Sequence, residues 1–459
     1  MPAAFTPAFN SSAITPFLVD HARSIRCDAL PSEVAAVAKQ SLLDWFGVTL
    51  AARDQALVHK LLEEARFQGA HPRCTVVGFG EKTSPAWAAL VNGAAADAAD
   101  FSDVHLAMHG HPTAAVAAAA LAAAELHHAT GAQLLSSLVA GIELECRVGL
   151  YIQPESYERT GFHPTGPVAH FGATAAAAHL MGLEREQWIH ALGLAATQAA
   201  GLKASAGTMG KPAHCGFAAM HGVMGASLAR RGFVASQEGL ESPTGFGATH
   251  SPVTHPGAVL ASKDRFLVLD TAVKRYAACA LTHGTIRNLQ ELRASSAPAA
   301  EVTRIVLRVP AGHLKVVGHR EARTELEAKF SLWATAALAF LGADMGAFAT
   351  YHDASIARSE VRRLMQRIEV IEDASLDFSV SHASVELTDG RRLEASADTS
   401  EPERDPVKRA RHVSAKFHAL SDPVLGIDKA HQLEQSLLSL ERLESIHLLF
   451  DLSTRGPST

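Results

Sequence analysis

Hydrophobic positions in the first half of the chain recur at helical spacing. The stretch from Leu30 to Val34 is typical of a helix start, and apolar residues follow it at three- and four-residue intervals through Phe46. Six more segments repeat this pattern, each rich in alanine and leucine and bounded by Gly, Pro or Asn: 84–99, 112–128, 131–150, 166–181, 184–201 and 213–231. Because alanine lets helix axes approach closely, the pattern predicts a large all-α body with a dense interior.

The pattern changes after about residue 265. Short runs rich in β-branched residues occur at 302–309 and 367–371, and 383–395 holds two more around Asp389-Gly390, a strong hairpin signal. Helical spacing returns between these strands, and a helical tail follows; the predicted helical segments are 282–293, 323–341, 355–366 and 405–449.

We therefore predict a mainly α protein in three parts. Residues 1–269 form a large helical domain, 270–400 a smaller α+β domain, and 401–459 C-terminal helices that return to the helical domain.

Charge and composition exclude several classes of protein. With 41 Lys+Arg against 47 Asp+Glu, the net charge of −6 argues against nucleic-acid binding, which needs clustered positive charge. A hydrophobic fraction of 47% excludes disorder over most of the chain. The longest apolar run, 114–124, is shorter than the roughly 20 residues that a membrane span requires.

The termini and the cysteines predict a cytoplasmic protein. The first residues lack the basic and apolar regions of a signal peptide. The five cysteines are scattered, without a CxxC pair, which supports neither a disulfide framework nor a zinc ribbon.

Histidine is unusually abundant, with 25 copies, several of them at Gly- and Pro-rich junctions between helices. Such junctions aim side chains into clefts. Four of them carry candidate chemistry: 100–112, 159–166, 207–216 and 274–283.

The first junction combines carboxylates and imidazoles, namely Asp100, Asp103, His105, His109 and His111. These groups suit proton transfer or carboxylate binding, and a metal site is a second interpretation. A third is that they only cap the next helix and hydrogen-bond the loop.

The second and third junctions each place a basic side chain near a helix start. His163 precedes a helix N-terminus, which favours an anion, although Thr165 could be a simple cap and His163 a loop histidine. Lys211, between Gly and Pro, suits carboxylate binding or, when desolvated, proton abstraction; a surface lysine is the alternative. The Ser/Thr of a P-loop is missing after Lys211.

The fourth junction contains Tyr276, Cys279 and His283. Cys279 is either a nucleophile or a small buried thiol, and His283 is the better candidate for chemistry. Together the four junctions suit a di- or tricarboxylate ligand. Since no dinucleotide fingerprint, nucleophile elbow or HExxH helix is present, we expect acid–base chemistry without a cofactor.

The same junctions, in the same order, resemble the MmgE/PrpD family, which includes 2-methylcitrate dehydratase, cis-aconitate decarboxylase and iminodisuccinate epimerase. The matching motifs are Asp100-Phe101 with Asp103 and His111-Pro112, 161–166, Lys211 with His214, Lys274-Arg275-Tyr276, Cys279, His283 and 327–332. The resemblance implies a helical domain with an α+β lid, a homodimer, and an active site between the domains.

By position, the resemblance implies a pocket whose catalytic groups are Asp100, His111, His163 and Lys211. Lys211 and His163 would act as base or carboxylate clamp, and His111 with Asp100 as an acid–base pair. Substrate contacts would come from Asp103, His105, His214, Tyr276 and His283, the last from the lid.

Two positions depart from the dehydratases and the decarboxylase of the family. Val104 and Ala334 stand where a Thr and a Tyr are expected, so both changes would remove a hydroxyl from the pocket. An epimerase of a small dicarboxylate such as iminodisuccinate needs no acid for a leaving group, so we favour it at this stage. A dehydratase-like or decarboxylating lyase is the first alternative, and a metabolite-binding dimer without activity is the second.

Overall fold

The computed structural model describes residues 14–294 and 302–454. The helices between residues 14 and 294 are α1 Ile14–Ser24, α2 Ser32–Ala51, α3 Ala56–Gln68, α4 Pro85–Ala98, α5 Pro112–Leu126, α6 Gly131–Ile152, α7 Glu155–Arg159, α8 Thr165–Leu180, α9 Arg185–Gln198, α10 Gly210–Arg230, α11 Phe246–His250, α12 Pro256–Ala261 and α13 His283–Ala294. The helices after residue 302 are α14 Leu314–Val317, α15 Glu325–Lys329, α16 Leu332–Phe340, α17 Asp353–Ile356, α18 Ser359–Met365, α19 Pro406–Leu425, α20 Ile427–Leu438 and α21 His447–Leu452. The strands are β1 Cys74–Thr75, β2 Lys82–Thr83, β3 Val104–His105, β4 Thr271–Ala272, β5 Val302–Pro310, β6 Ile368–Asp373, β7 Val380–Leu387 and β8 Arg392–Asp398.

Helix α5 is the centre of the helical body. Its residues are buried continuously from Pro112 to Glu125, and α4, α6, α8 and α10 pack around it. A helix surrounded in this way must be apolar on every side, which explains its run of alanines. The mainly α architecture predicted from the sequence is confirmed.

Helices α4 and α10 pack with their backbones in contact. A Cβ atom added to Gly216 would lie 2.4 Å from the carbonyl oxygen of Leu90, and one added to Gly93 would lie 3.0 Å from that of Cys215. Only glycine fits at such distances. This close approach sets the end of α4 beside the start of α10, where Asp97 and Lys211 meet.

The substitution Gly216→Ala tests this packing. We expect it to lower the free energy of unfolding by about 1–3 kcal/mol, because the added methyl group has no room. Gly225→Ala on the same helix is the matched control, since its Cβ would approach no atom closer than 3.7 Å and alanine favours the helix. Equal stability of the two variants in urea denaturation would contradict the packing described.

The second part of the chain contains a four-stranded sheet of order β6-β5-β7-β8. β5 pairs with β6 in parallel, and the other pairs are antiparallel. β7 and β8 form the hairpin predicted around Asp389-Gly390, where Gly390 takes a positive φ of 86°. Helices α13 and α16 pack against this sheet.

Two predicted helices are wrong in their extent. The segment 323–341 forms α15 and α16, because Ser331 starts a new helix and its Oγ accepts a hydrogen bond from the Ala334 amide at 3.0 Å. The segment 355–366 likewise belongs to two short helices, α17 and α18. No separate helical segment was predicted for the residues of α1 or α3.

The C-terminal helix α19 lies against α2, and α20 packs on both. A hydrophobic cluster also joins residues of α2, α3 and α4 to the sheet and α16, so the two parts share buried surface. The boundaries at 269 and 400 stay predictions. No helix within 14–294 or 302–454 combines the length and apolar character needed to span a bilayer.

Candidate active site

A cavity of about 660 Å³ lies where the junctions of the helical body face the second part of the chain. This volume is in the range of small-molecule sites. Its wall includes Asp100, Val104, His105, His109, His111, His163, Lys211, Lys274, Tyr276, Cys279 and His283. The structure thus brings the four predicted catalytic residues and most predicted contacts to one cavity.

Helix ends position these side chains. Asp100 follows the end of α4, while His111, His163 and Lys211 stand at or before the first turns of α5, α8 and α10, and His283 begins α13. Helix N-termini carry free N–H groups and partial positive charge. A cavity bordered by four such ends favours an anionic ligand.

Two local features bring Lys274 next to Asp100. Asp100 has a left-handed φ of 51°, an uncommon conformation that Asp tolerates better than most residues. The pairing of β3 with β4 then joins this turn to the segment that carries Lys274. As a result, Lys274 Nζ lies 3.2 Å from Asp100 Oδ2 and donates to the Asp100 carbonyl at 2.9 Å.

Lys211 is held by two buried carboxylates. Its Nζ lies 2.9 Å from Asp97 Oδ2 and also bonds to Asp100 Oδ1. Burial alone would lower the pKa of Lys211, but the Asp100 and Asp97 carboxylates raise it above its ordinary value. Burial would also raise the pKa of Asp100, but Lys211 and Lys274 hold it well below its usual range. Lys211 and Asp100 are therefore both charged at neutral pH.

His111 contacts both the main chain and the lysine. Its Nδ1 lies 2.8 Å from the Asp103 carbonyl oxygen, and its Nε2 lies 3.4 Å from Lys211 Nζ. Burial, followed by the two lysines, lowers the pKa of His111 to about 4. The ring is thus neutral at pH 7, with Nδ1–H donating to Asp103 and the Nε2 lone pair facing the ammonium group.

The state of His111 is directly measurable. In ¹⁵N NMR at pH 6.5 we expect a neutral Nδ1–H tautomer for His111, because its pKa lies far below that pH. His418 is the internal control in protein treated with EDTA: burial would lower its pKa, but bonds to Asp422 and Glu434 raise it, so it should be protonated. A protonated His111 in the same spectrum would contradict this assignment.

His163 lies between His111 and His214 in the chain of imidazole contacts beside Lys211. Its ring centroid is 6.4 Å from that of His111, and its Nδ1 is 3.4 Å from His214 Nδ1. Burial and the charge of Lys211 lower the pKa of His163 well below its ordinary value. His163 is therefore a second neutral imidazole at neutral pH.

Two predicted substrate contacts lie behind the cavity wall. Asp103 is buried and holds the start of α5, bonding the Thr113 hydroxyl and amide. His214 contacts His163. Neither belongs to the cavity wall within the described residues; each instead contacts one of the two imidazoles, Asp103 through its carbonyl oxygen.

The other predicted contacts do reach the wall. His105 is fully buried, and its Nε2 is 3.1 Å from the Leu267 carbonyl oxygen, which occupies that nitrogen. The Tyr276 hydroxyl donates to Gln290 Oε1 at 2.8 Å, and the Tyr276 ring packs on that of His283. Burial raises the pKa of Cys279 to about 11, so this residue is a protonated thiol and a poor nucleophile.

Sequence reasoning missed Asp97 and gave Lys274 no role. Asp97 has a visible signal: it is an acidic residue in an alanine run at the end of a predicted helix, three positions before Asp100. Also missed was Phe378, whose ring stacks on His109 at 4.6 Å, with Tyr157 against its edge. These rings join the helical body to the second part at the cavity wall.

Ala334 corrects the argument about missing hydroxyls. It is fully buried in α16 and, unlike Val104, is absent from the cavity wall within the described residues. Of the two positions where a hydroxyl is missing, only Val104 therefore lies in the cavity wall.

Asp97, Asp100 and His111 have ligand atoms within 4.8 Å of one another, a spacing that a metal ion could use. The Lys211 ammonium group already contacts both carboxylates. It supplies the positive charge that such a donor set requires, so these residues fit a lysine better than a metal.

Comparison with known proteins agrees with this geometry. Sequence models of the MmgE/PrpD N-terminal and C-terminal domains match residues 17–257 and 276–442. The chain is 28% identical to the cis-aconitate decarboxylase of Homo sapiens over 97% of this chain and 95% of that protein. It is 25% identical to the cis-aconitate decarboxylase of Aspergillus terreus over 96% of both. With both domain models covering most of its length, the chain belongs to the MmgE/PrpD family.

Proposed function

We propose that this protein is a lyase that removes carbon dioxide from a small unsaturated tricarboxylate of the cis-aconitate type. The observation that carries the proposal is the buried cluster of Lys211, Asp97, Asp100 and His111 in the wall of a cavity bordered by helix N-termini. The relatives, named cis-aconitate decarboxylases and aligned over nearly the whole chain, support decarboxylation over epimerisation.

Substrate binding requires positive charge beyond the cluster. Asp97 and Asp100 balance Lys211 and Lys274, so the four groups together are neutral. The carboxylates of the substrate would instead be met by helix N-termini and by Arg275 and Arg287, which also line the cavity. A small tricarboxylate fits a volume of this size.

Decarboxylation needs one proton delivered to carbon. When the carbon–carboxylate bond breaks, its electron pair passes into the neighbouring conjugated system, and a proton then adds to carbon. His111 and His163 are neutral, so the proton donor in this cluster is the Lys211 ammonium group, directly or through His111 Nε2 at 3.4 Å. Solvent afterwards restores the proton.

Epimerisation of a dicarboxylate is the second candidate, and Val104 in the cavity wall favours it because valine lacks the hydroxyl of the expected threonine. It requires a base and an acid on opposite faces of one carbon. The ring centroids of His111 and His163 are 6.4 Å apart, but both imidazoles have lowered pKa values, so neither is the acid at neutral pH.

Incubation with cis-aconitate in deuterium oxide separates the two reactions. We expect release of carbon dioxide and a dicarboxylate carrying one carbon-bound deuterium, detected by mass spectrometry and NMR. Deuterium incorporation into a dicarboxylate panel without loss of carbon would favour the epimerase. Ligand binding without any exchange would indicate a metabolite-binding protein.

The homodimer and the cytoplasmic location implied earlier remain predictions.

A further inference from the structure

A second cluster of ligand side chains lies on the C-terminal helices, outside the cavity wall. It consists of His418 on α19 with His431 and Glu434 on α20. One ligand atom from each lies within 4.8 Å of the other two. His418 Nε2 is 3.0 Å from Glu434 Oε2, and His431 Nδ1 is 3.7 Å from the same oxygen.

We propose that His418, His431 and Glu434 form a binding site for a divalent transition-metal ion such as Zn²⁺. Two imidazoles and one carboxylate are a common zinc ligand set, with water in the fourth position. Bonds of about 2.0–2.2 Å in a tetrahedron place neighbouring ligand atoms roughly 3.3–3.6 Å apart. The observed separations of 3.0 and 3.7 Å lie just outside this range, one on each side.

Neighbouring groups already orient two of the three ligands. His418 Nδ1 lies 2.8 Å from Asp422 Oδ1, so Nδ1–H donates to that carboxylate. Nε2 faces Glu434 Oε2 at 3.0 Å and would bind an ion after losing its proton. Ser414 Oγ donates to Glu434 Oε1, which leaves Oε2 facing the two imidazoles. Outer carboxylates and hydroxyls of this kind are typical of metal sites.

The third ligand is accessible. The His431 side chain is 57% exposed, and its Nε2 accepts a hydrogen bond from Gln435 Nε2 at 2.8 Å. A half-turn of this exposed amide would let its oxygen accept from Nε2–H, which would leave Nδ1 to bind an ion. An ion can therefore enter from solvent and keep a water ligand.

The charge of the cluster favours a cation. Within the described residues, the ion-pair partners of Asp422 and Glu434 within 4.0 Å are histidines, with no lysine or arginine among them. Asp97 and Asp100, by contrast, are neutralised by lysines. A bound ion would supply the missing charge and link α19 to α20.

Calorimetric titration of the full-length protein with ZnCl₂, after removal of metal with EDTA, tests the site. We expect a site with a dissociation constant of about 10 µM or tighter that is lost in His431→Ala. Asp422→Asn should weaken binding by about 10–100-fold, because it disturbs only the orientation of His418. His431 is exposed, so its loss should leave the fold intact.

His447→Ala is the matched control. His447 Nε2 lies 3.3 Å from His128 Nδ1, an exposed imidazole pair for which the described part of the chain shows no carboxylate within 4.0 Å, so this variant should bind like the wild type. Co²⁺ gives a second readout through the intense visible absorption of a tetrahedral site. Binding weaker than this, or binding unchanged in both His431→Ala and Asp422→Asn, would overturn the proposal.

Discussion

The variant Lys211→Met should lose at least about 1,000-fold in kcat, because it removes the charged group that stabilises and protonates the reacting carbon. Methionine matches the length of lysine, so packing changes little. The free energy of unfolding should also fall by about 3–5 kcal/mol, since Asp97 and Asp100 lose a buried counter-charge. Steady-state kinetics and urea denaturation measure the two effects.

Lys416→Met separates the loss of activity from the loss of stability. Lys416 is equally buried and lies 2.7 Å from Asp44, but it is not part of the cavity wall within the described residues. We expect comparable destabilisation with kcat close to the wild type. The double variant Lys211→Met with Asp97→Asn should regain part of the stability and none of the activity. Activity of Lys211→Met within tenfold of the wild type would refute the role of Lys211.

The variant His111→Gln should lower kcat by about 100- to 10,000-fold, the usual range for loss of a proton-transfer group. Glutamine keeps a side-chain N–H that can bond the Asp103 carbonyl, but its amide accepts no proton at neutral pH. Stability should therefore change by only about 1 kcal/mol. The effect on catalysis would greatly exceed the effect on folding.

His170→Gln is the matched control for His111→Gln. His170 is also buried, its Nδ1 lies 2.8 Å from the Gly166 carbonyl oxygen, and burial lowers its pKa to about 4. It stands outside the cavity wall within the described residues. We expect near-normal kcat for this variant. Equal loss of activity in both would show that a buried histidine is needed only for structure.

Helix positions were largely predictable from the sequence, because alanine-rich periodicity and Gly or Pro boundaries are local signals. The central helix was expected at 112–128 and spans Pro112–Leu126. The break at Ser331 was missed because the apolar pattern continues across it, while the serine caps the next helix. Short strands such as β3 were missed since two residues carry no periodicity.

Much of the candidate site was predictable because its residues sit at helix ends, where the sequence changes character. Asp100, His111, His163 and Lys211 do meet at one cavity. The meeting of Asp97 with Lys211 could not be foreseen, because it depends on contact between two glycines of different helices. The same holds for Asp103 and Ala334, whose positions behind the wall are set by tertiary packing.

A crystal structure with propane-1,2,3-tricarboxylate tests the central claim most directly. This compound carries three carboxylates but no double bond, so it should bind without reacting. We predict that it occupies the cavity, with one carboxylate within hydrogen-bonding distance of Lys211 or His163 and another near Arg275 or Arg287. Binding elsewhere on the protein, with the cavity beside Lys211 left free of ligand, would contradict the account.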